Sequence, residues 1–400
     1  MSPEIPFGQP SFSDAEIDAV ARVMRSGWVG MGPETLAFEA ELAEFVGVPA
    51  VVTTNSCTSA LHLSLLALGV GAGDEVIVPS LTWCSTLNVV LYVGARPVFA
   101  DIDPMTLGLD PDSVAGVATS RTRALIPVHF GGLGLDVSAL AAALPATAVV
   151  VEDAAHALGA RLPDGRMVGA SGHPTCFSFY ANKVLSTGDG GAVALTDTDL
   201  AARMRALRLH GQAHDAWQRY LHPSLALVSP QISEVGLKAN YTDLQAAIGR
   251  VQLRRQDEFA ATRASVARIY GQGLAGLGLG LQTGWDRPEH ARHLFTIQLP
   301  AQRARDRDTL IATLRSQGIG ASLHYQPLHT MPRYAELAQG RALPHTESAG
   351  ARILTLPIGP RMQADDAWRI VQAVRQALGF PPFDGAMMAA TQPQRDNTDS

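Results

Sequence analysis

From residue 50 onward the chain alternates two patterns. Short, almost wholly apolar runs recur at 51–53, 76–78, 97–99, 124–126 and 148–151. Between them lie stretches at 59–68, 85–93 and 137–143 that read as helical. The short runs predict strands, so strands alternate with helices. Strands that are apolar throughout are buried on both faces, so the expected sheet is mostly parallel and sandwiched by helices. Two further runs, 175–179 and 192–195, bring the expected strands to about seven.

Upstream, Ser13-Asp14-Ala15-Glu16 matches a capping box that opens a helix to about Arg25. A second helix is expected over 34–45. Downstream, 197–209 and 242–259 read as helices, with mixed, loop-like sequence at 211–240. A different unit begins near 285. It should hold a strand at 294–299, a helix at 306–316, strands at 320–324 and 354–358, and a helix at 364–378. The expected fold is therefore α/β, with a large domain over 1–260 and a smaller C-terminal α+β domain over 261–379. The tail, 380–400, is Pro-rich and then polar, and is expected to be flexible.

Composition narrows the class. The chain has 400 residues, 46% hydrophobic and 17% charged, which supplies ample core. No run approaches the roughly 18 apolar residues of a membrane span. A net charge of -6 argues against nucleic-acid binding. Residues 1–16 show no basic segment followed by an apolar one, so no secretory signal is read there. Cys57, Cys84 and Cys176 are odd in number and form no CxxC pair, which suggests neither a disulfide framework nor a zinc site. A cytoplasmic protein is expected.

Of 31 basic residues only two are lysines, Lys183 and Lys238. A lysine amine can lose its proton when buried, whereas an arginine cannot, and it can then form a Schiff base with a carbonyl. Lys183 lies in FSFYANKVLSTGDGGAV, whose glycines allow backbone to approach a ligand closely. Three other stretches end strands at the edge where open α/β sheets bind ligands. Asn55-Ser56-Cys57-Thr58-Ser59 leads into a helix, a setting that suits an anion. Asp153 closes a strongly apolar strand, with His156 three residues on. That carboxylate could serve a metal, a base role or a protonated ring nitrogen; no cluster at ligand spacing favours a metal. Trp83 follows another strand, where an aromatic could stack on a flat ring. Each feature alone has an ordinary structural explanation in capping or core packing. Together they match the phosphate, ring nitrogen, aldehyde and flat face of pyridoxal 5'-phosphate.

The same stretches resemble the DegT-type sugar aminotransferases, which are fold-type I pyridoxal-phosphate enzymes. The likeness runs over about residues 5–378 and includes EDAAHALGA, GLKANYTDLQAAIGRVQLRR, HYQPLH and LPIGP. It implies a covalent imine between Lys183 and the cofactor, Asp153 against the pyridine nitrogen, and His156 near the ring hydroxyl. Trp83 would stack on the ring. Ser178 and the backbone of Cys57 and Thr58 would hold the phosphate. Asn240 would reach the phosphate of a neighbouring subunit, which implies a homodimer with shared sites. His324, Tyr325 and His329 would lie near the sugar. Lys238 is assigned no catalytic role, and His129 is read as equally suited to a structural one.

The implied reaction transfers an amino group from L-glutamate to a nucleotide-linked keto sugar. PSLTWCSTLN is similar to the branch that makes a 4-amino-4-deoxy-L-arabinose nucleotide, which points to a UDP-linked 4-keto sugar; a dTDP-linked 4-keto-6-deoxy sugar, or a 3-keto isomer, suits the family nearly as well. Two alternatives stand beside it: a non-catalytic regulatory protein that binds the cofactor, and a sugar dehydratase. Dehydratase relatives carry His at the lysine position, and Lys183 departs from that pattern.

Overall fold

The computed structural model describes residues 4–212, 216–221 and 232–384. The parts of the 211–240 stretch at 213–215 and 222–231, and tail residues 385–400, lie outside the described residues. Seven strands form the large sheet: β1 (Ala50–Thr54), β2 (Glu75–Pro79), β3 (Arg96–Ala100), β4 (Thr122–Leu125), β5, β6 (Thr175–Ser178) and β7 (Gly191–Leu195). β5 comes in two pieces, Val149–Val150 and Glu152–Asp153, and joins the two halves of the sheet. The spatial order is β3-β2-β4-β5-β6-β7-β1. All neighbours run parallel except at β7, which is antiparallel to both β6 and β1.

Period-two alternation explains why the strands are apolar throughout. In β1, Val51 joins a core on one face with Phe38, Leu42 and Phe177, and Val52 joins a core on the other with Leu61, Leu63 and Met204. Helices cover both faces. The capping box at Ser13 forms as expected, and the first helix runs Asp14–Ser26.

The helix expected over 242–259 is two helices, Asp243–Arg254 and Gln256–Gly273. The break falls at Arg255, whose guanidinium reaches back to the Ser11 carbonyl at 3.0 Å and to Glu16 at 3.0 Å. Thr242 caps the first helix with a capping box completed by Gln245. The second helix packs against the C-terminal helix Ala364–Ala377 in a separate core containing Phe295, Ile297, Leu354 and Ile370.

That smaller core carries a three-stranded antiparallel sheet of β8 (Gly280–Leu281), β9 (Phe295–Gln298) and β10 (Ile353–Leu356), in the order β10-β9-β8. The strand expected at 320–324 is not one of them. Only Ser322 pairs with Thr355, by hydrogen bonds of 3.0 and 2.8 Å. At Gly320 the N-terminal segment intervenes: its N–H bonds the Ile5 carbonyl at 2.8 Å, and the Phe7 backbone would lie 2.3 Å from an added Cβ. The chain is drawn off the sheet there.

One buried charge pair ties the first helices to β1. Glu39 accepts from the Thr53 N–H at 3.0 Å, the Thr53 hydroxyl at 2.7 Å and the Arg208 guanidinium. Glu39 and Arg208 are both almost fully buried. Removing one partner strands the other charge away from water, at a cost of about 3–5 kcal/mol. Arg208→Met is expected to lower unfolding stability in urea by that amount, and a second change, Glu39→Leu, to recover much of it. A single-variant loss within about 1 kcal/mol would contradict this account of the pair.

Candidate active site

The carboxyl ends of β1, β2, β5 and β6 converge on a cleft of about 580 Å³. Cys57, Thr58, Trp83, Asp153, His156, Ser178 and Lys183 all line it. So do His324 and Tyr325, which reach it from the smaller core across a cis peptide bond.

The N-terminus of helix Cys57–Ala67 opens into this cleft, with Ser56 as its cap, accepting from the Ser59 N–H at 3.1 Å. Free N–H groups and the positive end of the helix dipole make it suited to a phosphate. The Thr58 hydroxyl bonds that of Ser85 at 2.9 Å. Gly191 is required behind this turn, because an added Cβ would lie 2.5 Å from the Cys57 nitrogen.

Asp153 is buried at the end of β5. One carboxylate oxygen accepts from the Thr86 hydroxyl at 2.8 Å, the other from the Ala155 N–H at 3.1 Å. No arginine or lysine forms an ion pair with it among the described residues. Burial pushes its pKa up, and these hydrogen bonds together with the charge of Lys183 only partly offset that. Thr86 is in turn bonded to the Thr82 hydroxyl at 2.9 Å.

His156 accepts the Gly131 N–H on Nδ1 at 3.3 Å, and its Nε2 lies 3.1 Å from the Tyr325 hydroxyl. Burial, with a further contribution from Lys183, holds it well below the usual histidine range. The ring is therefore neutral, with its proton on Nε2. It donates to Tyr325 and leaves the tyrosine proton free for another acceptor.

Lys183 sits in the loop 179–190 between β6 and β7. Its Nζ lies 3.4 Å from Nε2 of His293. Burial pulls the amine down to about 8, although Cys57 and Asp153 act in the opposite sense. The amine thus releases its proton nearer neutrality than an ordinary lysine, as a nucleophilic or basic amine requires.

His329, expected near the sugar, and Asn240, expected to reach the phosphate of a neighbouring subunit, do not line this cleft. His329 bonds the Ser80 hydroxyl at 2.7 Å through Nδ1 and approaches Glu347 at 3.5 Å through Nε2. Asn240 accepts from Lys238 and donates to the Tyr241 carbonyl at 3.2 Å. His129 also lies elsewhere, buried with Glu152 at 2.7 Å.

Sequence reading missed His293 and Thr86. His293 precedes β9, and its ring lies 4.6 Å from that of His156. Its Nδ1 is buried without a hydrogen-bond partner, as is Oδ1 of Asn182 in the same cleft.

A family model for DegT/DnrJ/EryC1/StrS aminotransferases matches residues 10–375. The chain belongs to that family. Among relatives of this aminotransferase, the spore coat polysaccharide biosynthesis protein SpsC of Bacillus subtilis (strain 168) is 40% identical over 380 residues, covering 94% of this chain and 97% of SpsC. The solved structure of DesV from S. venezuelae is 36% identical, with a TM-score of 0.83 and coverage of 94% and 100%. The PLP form of Spr1654 from Streptococcus pneumoniae is 29% identical, with a TM-score of 0.86 and coverage of 94% and 99%. The enzyme is a sugar aminotransferase with pyridoxal phosphate as cofactor. Its cleft fits that cofactor on its own terms. It has a helix N-terminus for a phosphate, a buried carboxylate lacking a cation, a rare lysine, and two buried polar atoms without partners. Among the described residues no helix is long and apolar enough to cross a membrane.

The environment of Lys183 makes a direct prediction. In cofactor-free protein, acylation of Lys183 by acetic anhydride, followed by peptide mass spectrometry across pH, should reach half its maximal rate at about 8. A midpoint at about 10, the ordinary lysine value, would contradict the desolvation account.

Proposed function

We propose that this aminotransferase moves the amino group of L-glutamate to a keto sugar carried on UDP or dTDP, with the keto group at position 4. The amino sugar and 2-oxoglutarate are the products. The observation that carries this reading is Lys183 in the cleft with its amine pulled down toward neutrality, in company with Asp153, His156 and the anion-binding helix end. The names of relatives support the sugar: SpsC belongs to spore coat polysaccharide biosynthesis and Spr1654 is described as a sugar aminotransferase.

In this assignment Asp153 faces the ring nitrogen and keeps it protonated, which also supplies the cation its buried carboxylate lacks. His156 and Tyr325 serve the ring hydroxyl and its neighbourhood. Ser178 and the backbone of Cys57 and Thr58 hold the phosphate, and Trp83 covers the ring. Asn240 completes the phosphate site of a neighbouring subunit, making the enzyme a homodimer. His324 joins Tyr325 on the sugar side. Bound pyridoxal phosphate supplies the electron sink for breaking bonds at the donor α-carbon.

Lys183 moves the proton. Its Nζ accepts the α-proton of the donor as a base and gives it up as an acid in the same half-reaction. The second half repeats these transfers in reverse on the sugar, so ping-pong kinetics follow. His293, 3.4 Å from Nζ, is neutral because burial lowers its pKa far below the usual range, and it can accept a hydrogen bond from the amine without competing for charge.

Purified enzyme should show a visible cofactor absorbance that shifts to shorter wavelength on adding L-glutamate. Lys183→Arg keeps the charge and should abolish both that shift and turnover of UDP- and dTDP-4-keto sugars. Full turnover in that variant would overturn the role of Lys183. A shift with glutamine but not glutamate would overturn the donor alone.

A further inference from the structure

Behind the active site lies a second, smaller cleft of about 280 Å³. The two clefts share a wall made of two chain segments. Lys183 and His293 line the front cleft, while their chain neighbours Val184 and Arg292 line the rear one.

The rear cleft is cationic. Arg161, Arg263 and Arg292 line it, against one lining carboxylate, the exposed Asp257; Asp286 and Glu289 lie close enough to act on Arg292 without lining the cleft. His290 also lines it but stays neutral, since burial lowers it to about 3. None of the three arginines takes part in an ion pair among the described residues. Arg292 spends its donors on the carbonyls of Trp285, His290 and Arg287. Arg161 sits at the exposed rim and bonds the Gly165 carbonyl at 2.8 Å.

Arg263 is the decisive residue. It projects from helix Gln256–Gly273 and is only 2% exposed. One terminal nitrogen donates to the Arg292 carbonyl at 3.2 Å and the Ile358 carbonyl at 3.3 Å. Its Nε is buried with no acceptor at all. Burial without a counter-charge lowers its pKa to about 10. Buried guanidinium groups are ordinarily paired, because an unpaired buried charge is costly. A planar guanidinium with a free N–H is the group best shaped to take an oxygen anion.

We propose that the rear cleft is a binding site for a small oxyanion, a phosphate or carboxylate group, held by Arg263 from within and Arg161 from the rim. Its volume sits near the lower end of the range for small-molecule pockets, about 300 Å³, which suits one phosphate or a short dicarboxylate. The ligand takes the second terminal nitrogen of Arg263, which donates to no protein acceptor among the described residues. It also braces, from behind, the two segments that carry Lys183 and His293. The site does not depend on which sugar is aminated or which donor is used.

Isothermal titration calorimetry of the cofactor-loaded enzyme, in zwitterionic buffer at low ionic strength, tests this. Inorganic phosphate and succinate are titrated separately. Saturable binding of one anion per chain is expected, weakened roughly tenfold or more by Arg161→Gln and by Arg263→Lys, which retains charge but lacks the planar guanidinium fork. Arg161 is exposed, so its variant decides the question even where the Arg263 variant does not fold. Binding of phosphate alone would identify a phosphoryl ligand, and of succinate alone a carboxylate ligand; either supports the site. Absence of saturable binding by both anions overturns it. So does binding that Arg161→Gln leaves unchanged, which would place the anion in the front cleft.

Discussion

A carboxylate buried without a cation is the constraint around which this active site is built. Asp153 stands at the end of β5, and both its hydrogen-bond donors are neutral. Its ionised form is therefore under-compensated until a positive group arrives. The protonated ring nitrogen of pyridoxal phosphate is such a group. Much of the surrounding architecture follows. The sheet must end here at four strands, Thr86 must aim its hydroxyl inward, and Lys183 must stand near enough to be felt yet remain free to give up its proton.

The arginine bias of the chain carries the same logic. Where a fixed cation is needed the protein uses guanidinium groups, which collect several acceptors each. Arg208 serves Glu39 and Thr53, and Arg292 gathers three backbone carbonyls. A group that must change protonation state near neutrality cannot be arginine. In the proposed role Lys183 is the exception because it must change protonation state, and its rarity made it conspicuous in the sequence.

Legibility tracked the range of the forces involved. The large sheet could be read because burial on both faces writes itself into every residue of a strand. The stretches that converge on the cleft could be read because each is local: a strand end followed by a few polar residues. The break at Arg255 could not, since its cause is a contact with Ser11 and Glu16, more than 200 positions away. The third strand of the small sheet is two residues long and leaves no periodic trace. His293 and Thr86 are single side chains whose partners come from distant segments. His329 misled in the opposite way: it sits beside His324 and Tyr325 in sequence, but its bond to Ser80 turns it away from the cleft.

The one reversed strand has a consequence for precision. Because β7 runs antiparallel to β6, Ser178 and Gly191 face each other directly in the ladder. The loop carrying Lys183 is thus a closed ring, with both ends fastened at the same edge of the sheet. Phe179 and Gly190, then Thr187 and Phe179, bond across it at 2.9 and 3.0 Å. A parallel neighbour would have demanded a long crossover instead. Fastening a short loop at both ends removes most of the conformational entropy that a reactive amine would otherwise have to surrender in each catalytic cycle. In the role proposed for Lys183, strand polarity helps set the effective concentration of its amine at the bond it must reach.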